Sequence, residues 1–370
     1  MLALLGGVAL SAVAAYVIVR FPAPHARYSA DPPRISPQKF HSRPTPRIGG
    51  IAVLGGTLAA AAALGRHEPA VLELTGLALA CALFAFAGGL AEDLTKRVAA
   101  RLRLFLTFGS AAAGYFVLDA RIGVVEIPGI DWALSLPLAC FVFTLLAVGG
   151  FAHAMNIVDG FNGLAGVVSL IYLGAIATIA AKVGDLALAW SALALGAAIF
   201  GFLLLNYPKG LIFLGDGGAY LIGFLIAELV VLLVQRNSEV SPWFALALLA
   251  YPIVETLFSA YRKRMLRGLS PGAPDGLHLH MLVYKRLVRR THALTAPLLW
   301  ILALLAAVPA VLFWDDSGVL LCVVFAFAAI YLWLYWQIVR FRVPRYLGKW
   351  VAGAALRARE PVVLKALVKP

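Results

Sequence analysis

An all-α, polytopic membrane fold of about eleven transmembrane helices is predicted by this sequence, and three observations carry the prediction. The 370 residues are 62% hydrophobic and only 13% charged, a balance that excludes an ordinary soluble domain. The mean hydropathy is +0.90. Apolar runs of roughly 17–25 residues, long enough to cross a bilayer as helices, recur eleven times along the chain. Finally, the basic residues alternate between successive loops so strictly that one orientation in a membrane accounts for nearly all of them.

The runs fall at about 1–19, 48–64, 70–90, 103–118, 132–150, 163–181, 186–206, 217–234, 242–261, 295–313 and 318–339. The first has neither a basic start nor a clear small-residue cleavage site, so it reads as an uncleaved helix. The second opens on Gly49 and Gly50; the third runs into the acids Glu92 and Asp93; the fourth is the weakest of the set. The fifth leads into "NIVDGFNGLAG", the eighth follows "FLGDGG", and the ninth ends before the basic loop 262–290. Cys81, Cys140 and Cys322 lie inside apolar runs at no metal-ligand spacing and read as small buried hydrophobes.

With the spans numbered in order, the loops fall on two sides. One side carries Arg20 to Arg47, Lys96 to Arg103, Lys209, Arg262 to Arg290 and the tail from Arg340 to Lys369; the other holds only Arg66, Arg121, Lys182 and Arg236. The positive-inside rule makes the first side cytoplasmic, with the N-terminus outside and the C-terminus inside. Residues 1–339 then form a transmembrane catalytic domain, and 340–370 a basic tail on the cytoplasmic membrane surface. Topology and anionic headgroups account for the net charge of +13, so membrane lipid, and no nucleic acid, is the expected partner.

The outer loops are short and ordinary, and their acids, including Asp315 and Asp316, are expected to be solvated. The unusual residues all fall on the cytoplasmic side, in five clusters. Lys39, His41, Arg43 and Arg47 form a cationic patch stiffened by Pro44 and Pro46, suited to a phosphate or diphosphate, or simply a juxtamembrane loop. Adjacent Glu92 and Asp93 repel and need a metal, cations such as Lys96 and Arg97, or solvent. If "NIVDGFNG" is helical, Asn156, Asp159 and Gly163 share a face, with the glycine leaving room for a ligand and Asn162 available as a cap. Asp216 stands among Gly215, Gly217 and Gly218, where backbone and phosphate can approach a carboxylate-bound Mg²⁺, although an aspartate there also suits a helix N-cap. Asp275, His278 and His280, then Lys285 and Arg286, offer imidazoles and cations to phosphate oxygens; histidines two apart are poor joint ligands for one zinc. His153 reads as packing. Five clusters distant in sequence and gathered at one membrane face suggest one active site.

In combination and in this order, "RPTPRIGG", "NIVDGFNGLAG" and "FLGDGG" resemble the polyprenyl-phosphate N-acetylhexosamine-1-phosphate transferases of glycosyltransferase family 4, from about Lys39 to Arg290. That family includes the enzymes that start O-antigen, enterobacterial common antigen and teichoic acid synthesis, and the phospho-N-acetylmuramoyl-pentapeptide transferase. "PDGLHLH" looks like the sugar-transferring branch, since the muramoyl branch usually carries a histidine run there. The resemblance implies transfer of a sugar 1-phosphate from a UDP-N-acetylhexosamine to undecaprenyl phosphate at the cytoplasmic face of a bacterial inner membrane, with release of UMP. It implies Mg²⁺, for which Mn²⁺ substitutes, and leaves oligomeric state open, a homodimer included.

Carried over by motif, Asp216 and Asp93 are the expected metal carboxylates, and Asp93, Asp159, Asp216 and Glu92 the catalytic acids. Lys39, Arg43, Arg47, His278 and His280 are expected on substrate phosphates, and Asn156, Gly160, Asn162 and Gly163 on the nucleotide sugar. Glu92 stands where the family mostly has Asp, Asn162 where many members have a second Asp, and Met281 where a third histidine is frequent. In the implied mechanism Asp93 deprotonates or positions the lipid phosphate for attack on the β-phosphorus; a covalent phospho-enzyme is the open alternative. A transporter is the rival class, but it should place polar residues near the bilayer midplane, where only Glu73 and Glu228 are expected within spans and no internal repeat is visible.

Overall fold

A computed structural model describes residues 1–23, 25–31, 44–270, 276–288 and 292–341. Lys39, His41, Arg43, Asp275 and the tail from 342 lie outside the described residues. The helices in chain order are α1 (Leu2–Arg20), α2 (Ala26–Ser29), α3 (Gly49–Leu64), α4 (Pro69–Thr95), α5 (Ala100–Val117), α6 (Pro128–Leu134), α7 (Pro137–Val158) and α8 (Leu164–Lys182). They continue with α9 (Leu186–Asn206), α10 (Gly215–Arg236), α11 (Pro242–Leu248), α12 (Ala250–Tyr261), α13 (Leu279–Leu282), α14 (His292–Leu312) and α15 (Ser317–Val339). The strands described are β1 (Ala30–Asp31) and β2 (Thr45–Pro46), a two-residue antiparallel pair.

A helix stands in each of the eleven places expected, but by length and composition eight of them can cross a membrane, or nine if a bent pair counts as one span. The 16-residue α3 is shorter than that standard, and α5, which carries Arg101 and Arg103, is not among the eight. The bent pair is α11 with α12, which turn by 71° where one straight span was expected. Pro252 supplies the reason: it has no N–H for the carbonyl of Leu248, yet it is tolerated in the first turn of α12.

The core is organised around α10. All its residues from Gly215 to Leu233 are buried, and α3, α4, α5, α7, α8, α9 and α11 all pack on it. A helix apolar all round is stable only when enclosed in this way. Small residues set the closest approaches, as expected where helices have no water-driven force between them. A Cβ on Gly50 would lie 2.5 Å from the Cα of Gly218, and one on Gly89 would lie 2.5 Å from the amide nitrogen of Gly217. The glycines beside Asp216, expected to admit phosphate, instead let the start of α10 touch the start of α3 and the end of α4.

The loops before α3 and α10 are zipped together by backbone hydrogen bonds, from Phe213 to the Pro46 carbonyl, Gly49 to Phe213 and Gly50 to Leu214. Acids at the opposite ends of the helices cap them: Asp185 accepts from the Leu188 amide and Asp316 from that of Val319. Asp316 is exposed, as expected of an outer-loop acid, and caps α15 as well.

Gly89→Leu should lower the melting temperature in detergent, since overpacking a backbone contact costs about 1–3 kcal/mol. Gly76→Leu on the same helix meets nothing within 4 Å. It should leave the melting temperature unchanged or slightly raised, and differential scanning fluorimetry of both variants checks the contrast.

Candidate active site

The glycine contacts bring the ends of α3, α4 and α10 together, and three carboxylates meet there in three different states. Asp93, one turn from the end of α4, is 1% exposed. Its Oδ1 accepts from the Asp216 amide at 3.0 Å and its Oδ2 from the Gly217 amide at 2.9 Å. These are open amides in the first turn of α10, so a side chain of α4 caps another helix, where a negative charge also meets the positive end of the helix dipole. Gly215 makes the fit possible. It adopts φ +78°, and a Cβ there would lie 2.5 Å from Asp93 Oδ2.

Asp216 is clamped by two arginines. Arg47 reaches Oδ1 at 3.0 Å and also lies 3.5 Å from Asp93, while Arg103 closes on Oδ2 and approaches the Tyr220 hydroxyl at 3.5 Å. Arg103, from the first turn of α5, was counted for topology and missed as a site residue; its place one turn inside an apolar helix was the available signal. His153 donates to or accepts from the Thr107 hydroxyl at 3.1 Å and lies against the Tyr220 ring, the packing role expected of it.

Asp159 is the third acid. It follows the last residue of α7, is half-buried, and makes no side-chain hydrogen bond to a described residue. Burial pushes its pKa up to about 7, with Asp216 and Asp93 adding to the rise and Arg47 opposing it. Asp159 is therefore the open carboxylate of the three. Glu92 points elsewhere: neighbouring helix positions are about 100° apart, and its Oε2 accepts the Val98 amide at 2.8 Å, closing the turn between α4 and α5.

The "NIVDGFNG" stretch is not one helical face. α7 ends at Val158, and Gly163 is the N-cap of α8 at φ +74°, so Gly163 does not continue the face of Asn156 and Asp159. Asn156 remains on the last turn of α7, half-buried. Gly163 lacks room for a ligand on its Cα, because a Cβ would meet the Tyr207 ring at 2.6 Å. Its amide donates to Asn206 Oδ1 at 2.7 Å, and its carbonyl accepts from Trp300 Nε1 at 3.1 Å. Asn162 is not the cap; it donates to the Pro208 carbonyl at 3.3 Å. Asn206, absent from the sequence reading, also donates to Ile212 and ties the two loops together.

The histidine loop comes next to this. His278 and His280 stack with their rings parallel and 5.4 Å apart. His278 precedes α13 in extended backbone and His280 sits in its first turn, which lets the rings overlie. A Cβ on Gly160 would meet His280 Nε2 at 2.6 Å, so the pair leans on the residue after Asp159. Burial, then the charge of His278, pushes the His280 pKa down to about 3, with Glu255 opposing. His280 is therefore a neutral ring at pH 7, not a cation. Arg286, expected on phosphates, instead donates to the Ile338 and Val339 carbonyls at the end of α15. Lys285 donates to the Gly276 carbonyl.

Described members of all five clusters thus lie in one connected group. The donor set fits a hard divalent cation of the Mg²⁺ type, which takes one or two carboxylates and leaves its other positions to substrate phosphates and water. Among the described residues no group of three or more His, Cys, Asp or Glu forms a protein cage. Glu73, expected within a span, is exposed near the start of α4. Glu228 is buried in α10 with neither oxygen hydrogen-bonded, beside Gly114. No polar path of the kind a transporter needs continues from it through hydrogen bonds among the described residues.

Comparison with known proteins gives matching results. Residues 75–234 match the family model described as glycosyl transferase family 4. The undecaprenyl-phosphate alpha-N-acetylglucosaminyl 1-phosphate transferase of Yersinia pestis is 30% identical over 256 residues, covering 67% of this chain and 68% of that protein. The protein of the same name in Escherichia coli strain K12 is 29% identical over 67% of each chain. The probable undecaprenyl-phosphate N-acetylglucosaminyl 1-phosphate transferase of Bacillus subtilis strain 168 is 27% identical over 66% of this chain and 67% of its own.

The raised pKa of Asp159 has a stability consequence. A group whose pKa is about 7 when folded and near 3.9 when unfolded keeps a proton preferentially in the fold. Its contribution is complete below the unfolded value and is lost as pH rises from about 4 through 7. Metal-free protein should therefore melt at lower temperature as pH rises across this window. Asp159→Asn should flatten that slope, as thermal melts at several pH values would show.

Proposed function

The chain belongs to glycosyl transferase family 4, and from that membership we propose that it transfers an N-acetylhexosamine 1-phosphate from a UDP-sugar to undecaprenyl phosphate. UMP is released, and the product starts a lipid-linked cell-surface polysaccharide such as O-antigen. The names of the relatives favour N-acetylglucosamine as the sugar. The observation that carries the reading is the meeting of Asp93, Asp159 and Asp216 with Arg47 and Arg103 at one end of the helix bundle. By the positive-inside rule we place that end at the cytoplasmic face of the inner membrane, with the N-terminus outside.

The reaction joins two anions. An oxygen of the lipid phosphate attacks the β-phosphorus of the donor and forms a new P–O bond. The bond from that phosphorus to the bridging oxygen breaks, and its electrons leave on UMP. The protein has to neutralise, align and hold charge more than it has to supply covalent chemistry. Mg²⁺ or Mn²⁺, held by Asp216 and Asp159, would screen the diphosphate and stabilise the charge that develops on UMP.

The remaining tasks belong to the chain's own residues. Arg47 and Arg103, which pair with Asp216, are forked donors suited to phosphate oxygens. Lys39 and Arg43 extend this cationic surface in our reading. Asp93 keeps the start of α10 in place by its two amide hydrogen bonds, and we assign it on that ground as a positioning acid for Asp216, where the sequence led to a residue that deprotonates or positions the lipid phosphate. Asn156, on the last turn of α7, and Gly160 are assigned to the nucleotide sugar beside Asp159.

Purified protein given undecaprenyl phosphate, UDP-N-acetylglucosamine and Mg²⁺ should release UMP. Chelation with EDTA should stop the release and Mn²⁺ restore it. Asp216→Asn should lower the rate by about a hundredfold or more, whereas Asp315→Asn in an opposite-side loop should leave it unchanged. Full UMP release by folded Asp216→Asn would contradict the assignment.

A further inference from the structure

Glu255 has no part in the site read from sequence, yet it is the most completely enclosed acid near it. Its relative exposure is 0%, and every bond it makes goes to a different element. Oε1 accepts from His278 Nδ1 at 3.0 Å, both oxygens lie 3.3 Å from the Leu279 amide, and Oε2 accepts from the Tyr331 hydroxyl at 2.8 Å. The acid comes from α12, the histidine from the residue before α13, and the tyrosine from α15. An ionisable side chain in an apolar helix is expensive unless it is fully partnered, and such residues are commonly functional.

The hydrogen-bond chemistry fixes what Glu255 does to the histidine. A carboxylate only accepts, so the short contact requires the proton of His278 to sit on Nδ1. Nε2 is then the ring atom left for a ligand, and it makes no hydrogen bond to a described residue. The Leu279 amide and the Tyr331 hydroxyl hold the carboxylate from two other directions, so the imidazole cannot rotate without breaking this set. His280 stacks on the oriented ring and rests against Gly160, next to Asp159. A continuous path of contact therefore runs from Tyr331 through Glu255, His278 and His280 to Gly160, the residue after Asp159.

We propose that Glu255, steadied by Tyr331, is a positioning residue for the transfer reaction: it holds the His278 ring through Nδ1–H so that Nε2, carrying the ring's second proton, donates to a phosphate oxygen of the substrate. Carboxylates that orient a working histidine through its second nitrogen recur in metal sites, where their loss costs about 10–100-fold. The proposal rests on the transferase reading above.

The test is a double-mutant cycle in the full-length protein. Wild-type UMP release is measured first, and its absence would fail the transferase reading rather than this one. Glu255→Gln and His278→Asn should each lower kcat/KM for the UDP-sugar by about 10–100-fold. Because one residue acts through the other, Glu255→Gln should cost less than about threefold more in the His278→Asn background. Tyr331→Phe, which leaves the carboxylate in place, should show a smaller loss that likewise disappears in that background, and it serves if Glu255→Gln does not fold.

A readout independent of activity is the ¹⁵N spectrum of histidine-labelled protein. It should contain a hydrogen-bonded Nδ1–H signal that His278→Asn removes and that Glu255→Gln or Tyr331→Phe shifts. Multiplying losses in the double variant, full activity in folded Glu255→Gln, or an unshifted signal would overturn the proposal.

Discussion

The hydrogen bonds from the Asp216 and Gly217 amides to the Asp93 carboxylate are the interaction on which the rest of the site depends. A helix start buried in a membrane protein has open N–H groups and no water to satisfy them, and here a neighbouring helix satisfies two of them with one charge. That bond is available only because glycines at 50, 89, 215, 217 and 218 let three helix ends meet backbone to backbone. Once α10 is fixed in this way, Asp216 on its first turn projects toward Arg47 and Arg103, within electrostatic reach of Asp159.

Three carboxylates in one place would repel if they were equivalent, and the structure makes them unlike. Asp93 is used by backbone amides, Asp216 is compensated by two guanidinium groups, and Asp159 is left without a side-chain hydrogen bond to a described residue. The arrangement places two guanidinium groups where two phosphates would arrive, and it keeps one uncommitted carboxylate beside them. A chain that only needed to hold its helices together would have no use for that last acid.

The membrane fold was legible because hydropathy and loop charge report directly on the bilayer, and the five cytoplasmic clusters were legible because polar residues at helix ends are conspicuous in an apolar chain. What the sequence left hidden was which partner each residue would choose. Asp93 and Glu92 are adjacent, yet helix geometry sends one to α10 and the other to the Val98 amide. Gly217 and Gly218 suggested room for a ligand, and helix packing uses that room instead. Arg103 looked like a topology signal, and Glu255, in "YPIVETLF", was passed over although it is an acid within a predicted span. Each miss concerns a long-range contact between elements that a one-dimensional pattern does not pair.

The most direct measurement of this division of labour is Mn²⁺ binding by electron paramagnetic resonance in the presence of UDP-N-acetylglucosamine, for Asp93→Asn, Asp159→Asn and Asp216→Asn. The account predicts that the Asp159 and Asp216 variants lose bound Mn²⁺ at unchanged fold, while the Asp93 variant keeps its metal signal but melts at lower temperature. An Asp93 variant that loses the metal at full stability, or an Asp159 variant that binds it undiminished, would contradict the account.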